Sequence, residues 1–147
     1  MKKIIALVAC AVLFAGTAFS QNYKNAVGIR IGGYNAGLTY KHALNQGNAI
    51  EAMLWYNWNS GFSVSGLYEW STQVINPDFN LYYGAGLHIG MYTNAFALGI
   101  DGIVGLEYKI PSAPIAFSID YKPSINFVPG IDAYGFFDFA LGIKYTF

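Results

Sequence analysis

Residues 79–100, FNLYYGAGLHIGMYTNAFALGI, form the longest run of the chain without Asp, Glu, Lys or Arg, and their reading decides the fold. Length alone would suit a transmembrane helix, which needs about 20 apolar residues. The content argues against one. Gly84, Gly86, Gly90 and Gly99 would each cost about 1 kcal/mol relative to Ala in a helix interior. Asn80, His88 and Asn94 would also sit in hydrocarbon. Read in steps of two, the difficulty disappears. Leu81, Tyr83, Ala85, Leu87, Ile89 and Met91 fall on one face, and Asn80, Tyr82, Gly84, Gly86, His88 and Gly90 on the other. The segment is a strand with one apolar face and one small or polar face.

The same period extends in both directions. The apolar phase runs through Val27, Ile29 and Ile31, then Leu38 and Tyr40, then Ile50 to Trp58 and Phe62 to Trp70. Beyond residue 97 it continues from Leu98 to Tyr108, from Ile115 to Phe127, and from Phe137 to Phe147. Eight strands are expected. Turn signals separate them at Gly33-Tyr34-Asn35, Asn45 to Asn48, Asn57 to Gly61, Asn76-Pro77-Asp78, Thr93-Asn94, Pro111 to Pro114 and Pro129 to Asp132. Pro123 lies inside the seventh strand, where it has no N–H for a ladder, so a bulge or a stop near Lys122 is expected. No linker or charge run marks a second domain.

Composition points the same way. The chain has 147 residues, of which 11% are charged, 54% hydrophobic and 18% aromatic. An ordinary soluble domain carries about a quarter charged residues, so this one has too little charge to cover itself in water. The aromatic content excludes disorder, and the absence of a basic excess argues against a nucleic-acid partner. Residues 1–20 read as a signal peptide: Met1-Lys2-Lys3, an apolar run from Ile4 to Phe14, and Ala18-Phe19-Ser20 as a cleavage site before Gln21. Residues 21–147 then form the single expected domain. A competing reading takes Leu7 to Cys10 as a lipoprotein box, although the apolar stretch before Cys10 is short. After cleavage no cysteine remains, so neither disulfides nor thiol chemistry are expected.

The opposite strand phase carries the charges: Arg30, Lys41, Glu51, Glu69, Asp101, Glu107, Lys109, Asp120, Lys122, Asp138 and Lys144. Its other members are mostly small or polar, and Met53, Trp55, Leu67, Tyr82 and Ile103 depart from that pattern. Alternation alone leaves open which phase is inside. A soluble lipocalin-like barrel puts the apolar phase inward, and a membrane barrel reverses it. Size decides. An eight-stranded barrel is just wide enough to be filled by side chains, so it cannot enclose the many Tyr, Phe, Trp, Leu and Ile of the apolar phase. Small residues with a few long charged ones do fit. The fold class expected is therefore all-β, an eight-stranded antiparallel up-and-down transmembrane β-barrel. Tyr56 with Trp58 at one end, and Trp70, Tyr108, Tyr145 and Phe147 at the other, would supply interfacial aromatic girdles.

From Val27 to Phe147 the pattern resembles the small eight-stranded outer-membrane barrels of the OmpA/OmpX type. Its most specific feature is the last strand, Phe137, Phe139, Leu141, Ile143, Tyr145 and Phe147 at alternate positions, which is similar to the signal read by the outer-membrane assembly machinery. The resemblance implies a Gram-negative outer membrane, with lipids as surroundings and the assembly machinery as a partner during biogenesis. The outward loops, near Tyr34, Ser60, Thr93 and Gly130, are shorter than in many members, which weakens a receptor or adhesion reading.

Buried charges need partners. Hairpin geometry sets Lys41 near Glu51 with Glu69 on the next strand, and Asp101 near Lys122; closure brings Arg30 towards Asp138. The favoured reading is a plugged, structural lumen, and the alternative is a narrow, porin-like channel for ions or small solutes. A lipid-modifying enzyme is a further alternative, but His42 and His88 are the only histidines and no Ser nucleophile motif accompanies either. Two separated histidines make a poor metal site. No cofactor and no catalytic residue are expected, and no ligand is legible.

Overall fold

The structure, a computed structural model, describes residues 23–45, 47–58, 61–92, 95–127 and 138–147. The expected signal peptide, Phe137, and the loop positions Ser60, Thr93 and Gly130 lie outside the described residues. The strands are β1 (Asn25–Gly32), β2 (Asn35–Asn45), β3 (Asn48–Asn57), β4 (Gly61–Val74), β5 (Asn76–Tyr92), β6 (Ala95–Lys109), β7 (Ile115–Tyr121), β8 (Ser124–Asn126) and β9 (Phe139–Thr146).

From β1 to β7 each strand pairs antiparallel with the next, β7 pairs with β9, and β9 returns to β1 in the register Val27↔Tyr145 and Ile31↔Leu141. The sheet is thereby a closed, up-and-down barrel of eight strands. β7 and β8 are two halves of the seventh: both pair with β6, at Leu106↔Ile119 and Ile100↔Ile125. They part at Lys122-Pro123, where the sequence requires a break. The Gly102 N–H donates to the Pro123 carbonyl at 2.8 Å, and the Lys122 N–H donates to the Asp138 carbonyl at 2.9 Å. The missing proline donor thus falls where no ladder bond is needed.

One turn falls elsewhere than expected. The reversal between β4 and β5 is at Ile75, whose φ is 63°, rather than at Asn76-Pro77-Asp78. The Asn76 side chain accepts the Asp78 N–H at 2.9 Å, and the register jumps from Gln73↔Asn80 to Val74↔Asn76. Residues 77–79 therefore bulge out of the β4–β5 ladder and leave the reversal to a β-branched residue in the left-handed region, a conformation costing on the order of 1–3 kcal/mol.

The strand period sorts side chains as the sequence predicts. Among the described residues, 33 large apolar side chains are well exposed on the outside, whereas only 11 hydrophobic residues, many of them alanine, are buried. The molecule is inside-out relative to a water-soluble barrel. Ten of the eleven charges placed on the inner phase are buried: Arg30, Lys41, Glu51, Glu69, Asp101, Glu107, Asp120, Lys122, Asp138 and Lys144. Lys109 is the exception. Half-buried at the rim, it donates from Nζ to the carbonyls of Ile110 (2.9 Å) and Ala113 (2.6 Å) and so caps the β6–β7 turn. Its position as the last residue of β6 lets the long side chain reach the turn instead of the lumen.

Candidate functional site

The lumen is the only region that gathers chemically capable side chains among the described residues, and it divides into two ionic compartments. The lower one lies towards the end where β1 begins and β9 finishes. There Lys41 pairs with Glu69 at 2.8 Å, and Lys144 pairs with Glu51 at 3.0 Å and Glu107 at 3.5 Å. Tyr23, just before β1, folds under the barrel and donates its hydroxyl to Glu107. Burial, with the Glu107 carboxylate beside it, holds the Tyr23 phenol well above its ordinary range, so it stays a donor.

The upper compartment is built around Arg30. Its Nε donates to Asp120 at 2.8 Å and its Nη1 to Asp138 at 3.1 Å, while Nη2 also faces Asp120. A planar guanidinium suits this role because its donors sit in a fixed fork that two carboxylates can share. Asp101 joins Lys122 at 3.4 Å and His88 Nδ1 at 2.7 Å, and His88 Nε2 meets Asn126 Oδ1 at 2.6 Å.

Between the compartments lies an apolar layer of Met53, Trp55, Leu67, Tyr82 and Ile103. These are the five residues that broke the small-or-polar rule of the inner phase. Their order along the strands explains them: on β3 Met53 and Trp55 follow Glu51, and on β6 Ile103 falls between Asp101 and Glu107. Trp55 turns its ring to the upper cations, with Arg30 at 4.7 Å and Lys122 at 5.2 Å from the centroid. Tyr82 turns its ring to the lower ones, Lys41 at 4.5 Å and Lys144 at 5.6 Å. Each aromatic plate receives cation–π attraction on the side facing its compartment. The Tyr82 hydroxyl continues upward to Asp120 at 3.0 Å. Gly105 makes that crossing possible, since a Cβ there would stand 2.6 Å from the Tyr82 hydroxyl.

Two pairs expected from strand geometry are present, Arg30 with Asp138 and Asp101 with Lys122. A third is redistributed. Lys41 is directly opposite Glu51 in the β2–β3 register, yet its ammonium bonds Glu69 one strand further on, while Glu51 is taken by Lys144 from β9. Long side chains in a narrow lumen reach across it, so adjacency in the sheet does not fix the ion partner. Tyr23 was invisible to the strand period because it precedes the first strand, and an isolated tyrosine there carries no signal.

The geometry around His88 bears on catalysis. Ser65 is its cross-strand partner in the β4–β5 register, which brings a Ser, a His and an Asp into one neighbourhood. The connections are not those of a nucleophile and its base. The Ser65 hydroxyl accepts from Trp55 Nε1 at 3.0 Å, and both His88 nitrogens are engaged by Asp101 and Asn126. His42, at the lower rim, bonds the Asn25 side chain at 2.7 Å. No group of three or more His, Cys, Asp or Glu among the described residues is arranged to hold a metal ion. Of the terminal strand, Phe139, Leu141, Ile143, Tyr145 and Phe147 all point outward.

No protein-family model matches this sequence, and no curated protein matches it either.

Tyr23 offers a local test of the lower compartment. Tyr23→Phe keeps the ring and removes the bond to a buried carboxylate, so it is expected to cost about 1.5–3 kcal/mol. Denaturant unfolding followed by tryptophan fluorescence reads the difference; a loss below about 0.5 kcal/mol would place Tyr23 outside the network.

Proposed function

We propose that this chain is an integral outer-membrane β-barrel of the OmpA/OmpX type, exported by its signal peptide, with a plugged lumen and a structural role in the membrane. The observation that carries the reading is the sorting of the two strand phases: bulky apolar side chains outward, buried paired charges inward. In water, that outer surface would far exceed the few hundred Å² of contiguous apolar area a soluble monomer tolerates.

Other features support a bilayer setting. Tyr56, Trp58 and Phe62 form one outward aromatic cluster, and Tyr68, Trp70 and Tyr83 another. From Phe62 to Trp70 the chain advances about 26 Å along the strand, or about 20 Å along the axis at a tilt near 40°, close to the apolar band of such barrels. A closed sheet also leaves no unpaired backbone edge to lipid. The outward terminal strand fits a role as the address read by the assembly machinery.

The apolar cluster of Met53, Trp55, Leu67, Tyr82 and Ile103 among the ion pairs supports a plugged lumen, because it sets apolar side chains in an ion's way. Purified protein in a planar bilayer is expected to give no stable conductance, and Arg30→Ala and Lys122→Ala are expected to introduce or enlarge current. A steady wild-type conductance sensitive to either substitution would overturn the plug in favour of a narrow channel.

A further inference from the structure

The two compartments carry different charge balances. Each holds three buried carboxylates, Asp101, Asp120 and Asp138 above and Glu51, Glu69 and Glu107 below, against two permanent cations, Arg30 and Lys122 above and Lys41 and Lys144 below. The upper compartment has a further resource in His88, whose two nitrogens face oxygens of Asp101 and Asn126. Protonated on both nitrogens, that imidazole would bring the compartment to three charges of each sign. Among the described residues the lower compartment has no such group. One of its carboxylates is uncompensated among fully buried side chains, where an isolated charge is costly.

The shortfall has an address. Glu69 gives Oε2 to Lys41 and Glu51 gives Oε1 to Lys144, but Oε1 of Glu69 and Oε2 of Glu51 have no donor. The two carboxyl groups are neighbours on the inward phase of β3 and β4, within hydrogen-bonding reach of each other. A second observation is independent of the acids. Thr39 and Asn80, each only 2% exposed, stand on the inward phase of β2 and β5, Thr39 two residues from Lys41 and Asn80 directly opposite Glu107. The Thr39 hydroxyl and both polar atoms of the Asn80 amide lack partners. Buried polar groups are ordinarily satisfied, so a compartment that combines a missing positive charge with unpartnered dipoles is built around something it binds.

We infer that the lower compartment binds one exchangeable monovalent positive charge between Glu51 and Glu69. A proton held between the two carboxyls and an alkali cation coordinated by their free oxygens are the two sources with this chemistry. The inference rests on the lumen alone and stands whether or not the outer surface meets lipid.

Infrared spectroscopy of the purified protein in detergent at neutral pH, paired with thermal unfolding in sodium, potassium or choline chloride at equal ionic strength, separates the sources. A carbonyl band of a protonated carboxylic acid that is independent of the salt cation and absent in Glu69→Gln supports a bound proton. No such band, with a melting temperature raised by sodium or potassium over choline in wild type but not in Glu69→Gln, supports an alkali cation. Gln keeps the shape and can donate to Glu51 without needing a positive charge. A wild-type protein with neither the band nor a cation dependence overturns the inference, as does either signal persisting in both Glu69→Gln and Glu51→Gln. Should those variants not fold, the wild-type arms alone decide.

Discussion

Arg30→Ala is expected to destabilise the barrel by about 3–5 kcal/mol, the cost of breaking a buried ion set by removing one side. Asp120 and Asp138 are both buried, and Arg30 is the cation that bonds each of them. Without it, two carboxylates remain in the lumen with no ammonium or guanidinium in contact, and Trp55 loses the guanidinium on its face. The loss comes from stranded charge rather than from lost attraction. Replacing the set together, Arg30→Met with Asp120→Leu and Asp138→Leu, is therefore expected to recover most of the stability. Denaturant titration of the folded fraction measures both variants. A single-site loss under about 1 kcal/mol would mean that the upper compartment is wet and its ion pairs are screened.

Ile119→Arg is expected to cost about 2–4 kcal/mol in a bilayer, the penalty for a cation on the lipid face near the midplane. Ile119 is 54% exposed on β7, between the outward Leu106 of β6 and Leu141 of β9. Were that face in water, the same substitution would stay within about 0.5 kcal/mol, as exposed substitutions generally do. Its neighbour Ser118 points inward, and Ser118→Ala is expected to be nearly neutral. Equal effects at 118 and 119 would contradict the assignment of faces.

Fold and sidedness were legible because both depend on a two-residue period, which survives any detail of packing. The run from Phe79 to Ile100 excluded a helix by its glycines, and Pro123 located the break between β7 and β8. The interior was legible only where strand adjacency governs contact. Asp101 meets Lys122 because β6 and the seventh strand are neighbours, and Arg30 meets Asp138 because closure joins β1 to β9. Lys144 reaching Glu51 crosses the lumen between strands that never pair, and no one-dimensional pattern encodes that crossing. The same holds for the layer of Met53, Trp55, Leu67, Tyr82 and Ile103. In sequence these look like lapses of the inner phase; in the barrel they pack into one apolar cluster among the charges. Tyr23 and the Ile75 reversal were hidden for a simpler reason, since both lie where the strand period has no hold.

The three tryptophans give the most direct test of the central claim, that the bulky phase faces lipid and the charged phase fills the lumen. Trp58 and Trp70 stand outward near opposite ends of the apolar band, 54% and 42% exposed, whereas Trp55 is 2% exposed inside. Single-tryptophan variants, with the other two replaced by Phe, can be reconstituted in bilayers whose acyl chains carry bromine, a short-range quencher. The account predicts strong quenching of Trp58 and Trp70 and little of Trp55; strong quenching of Trp55 with Trp58 and Trp70 unaffected would contradict it.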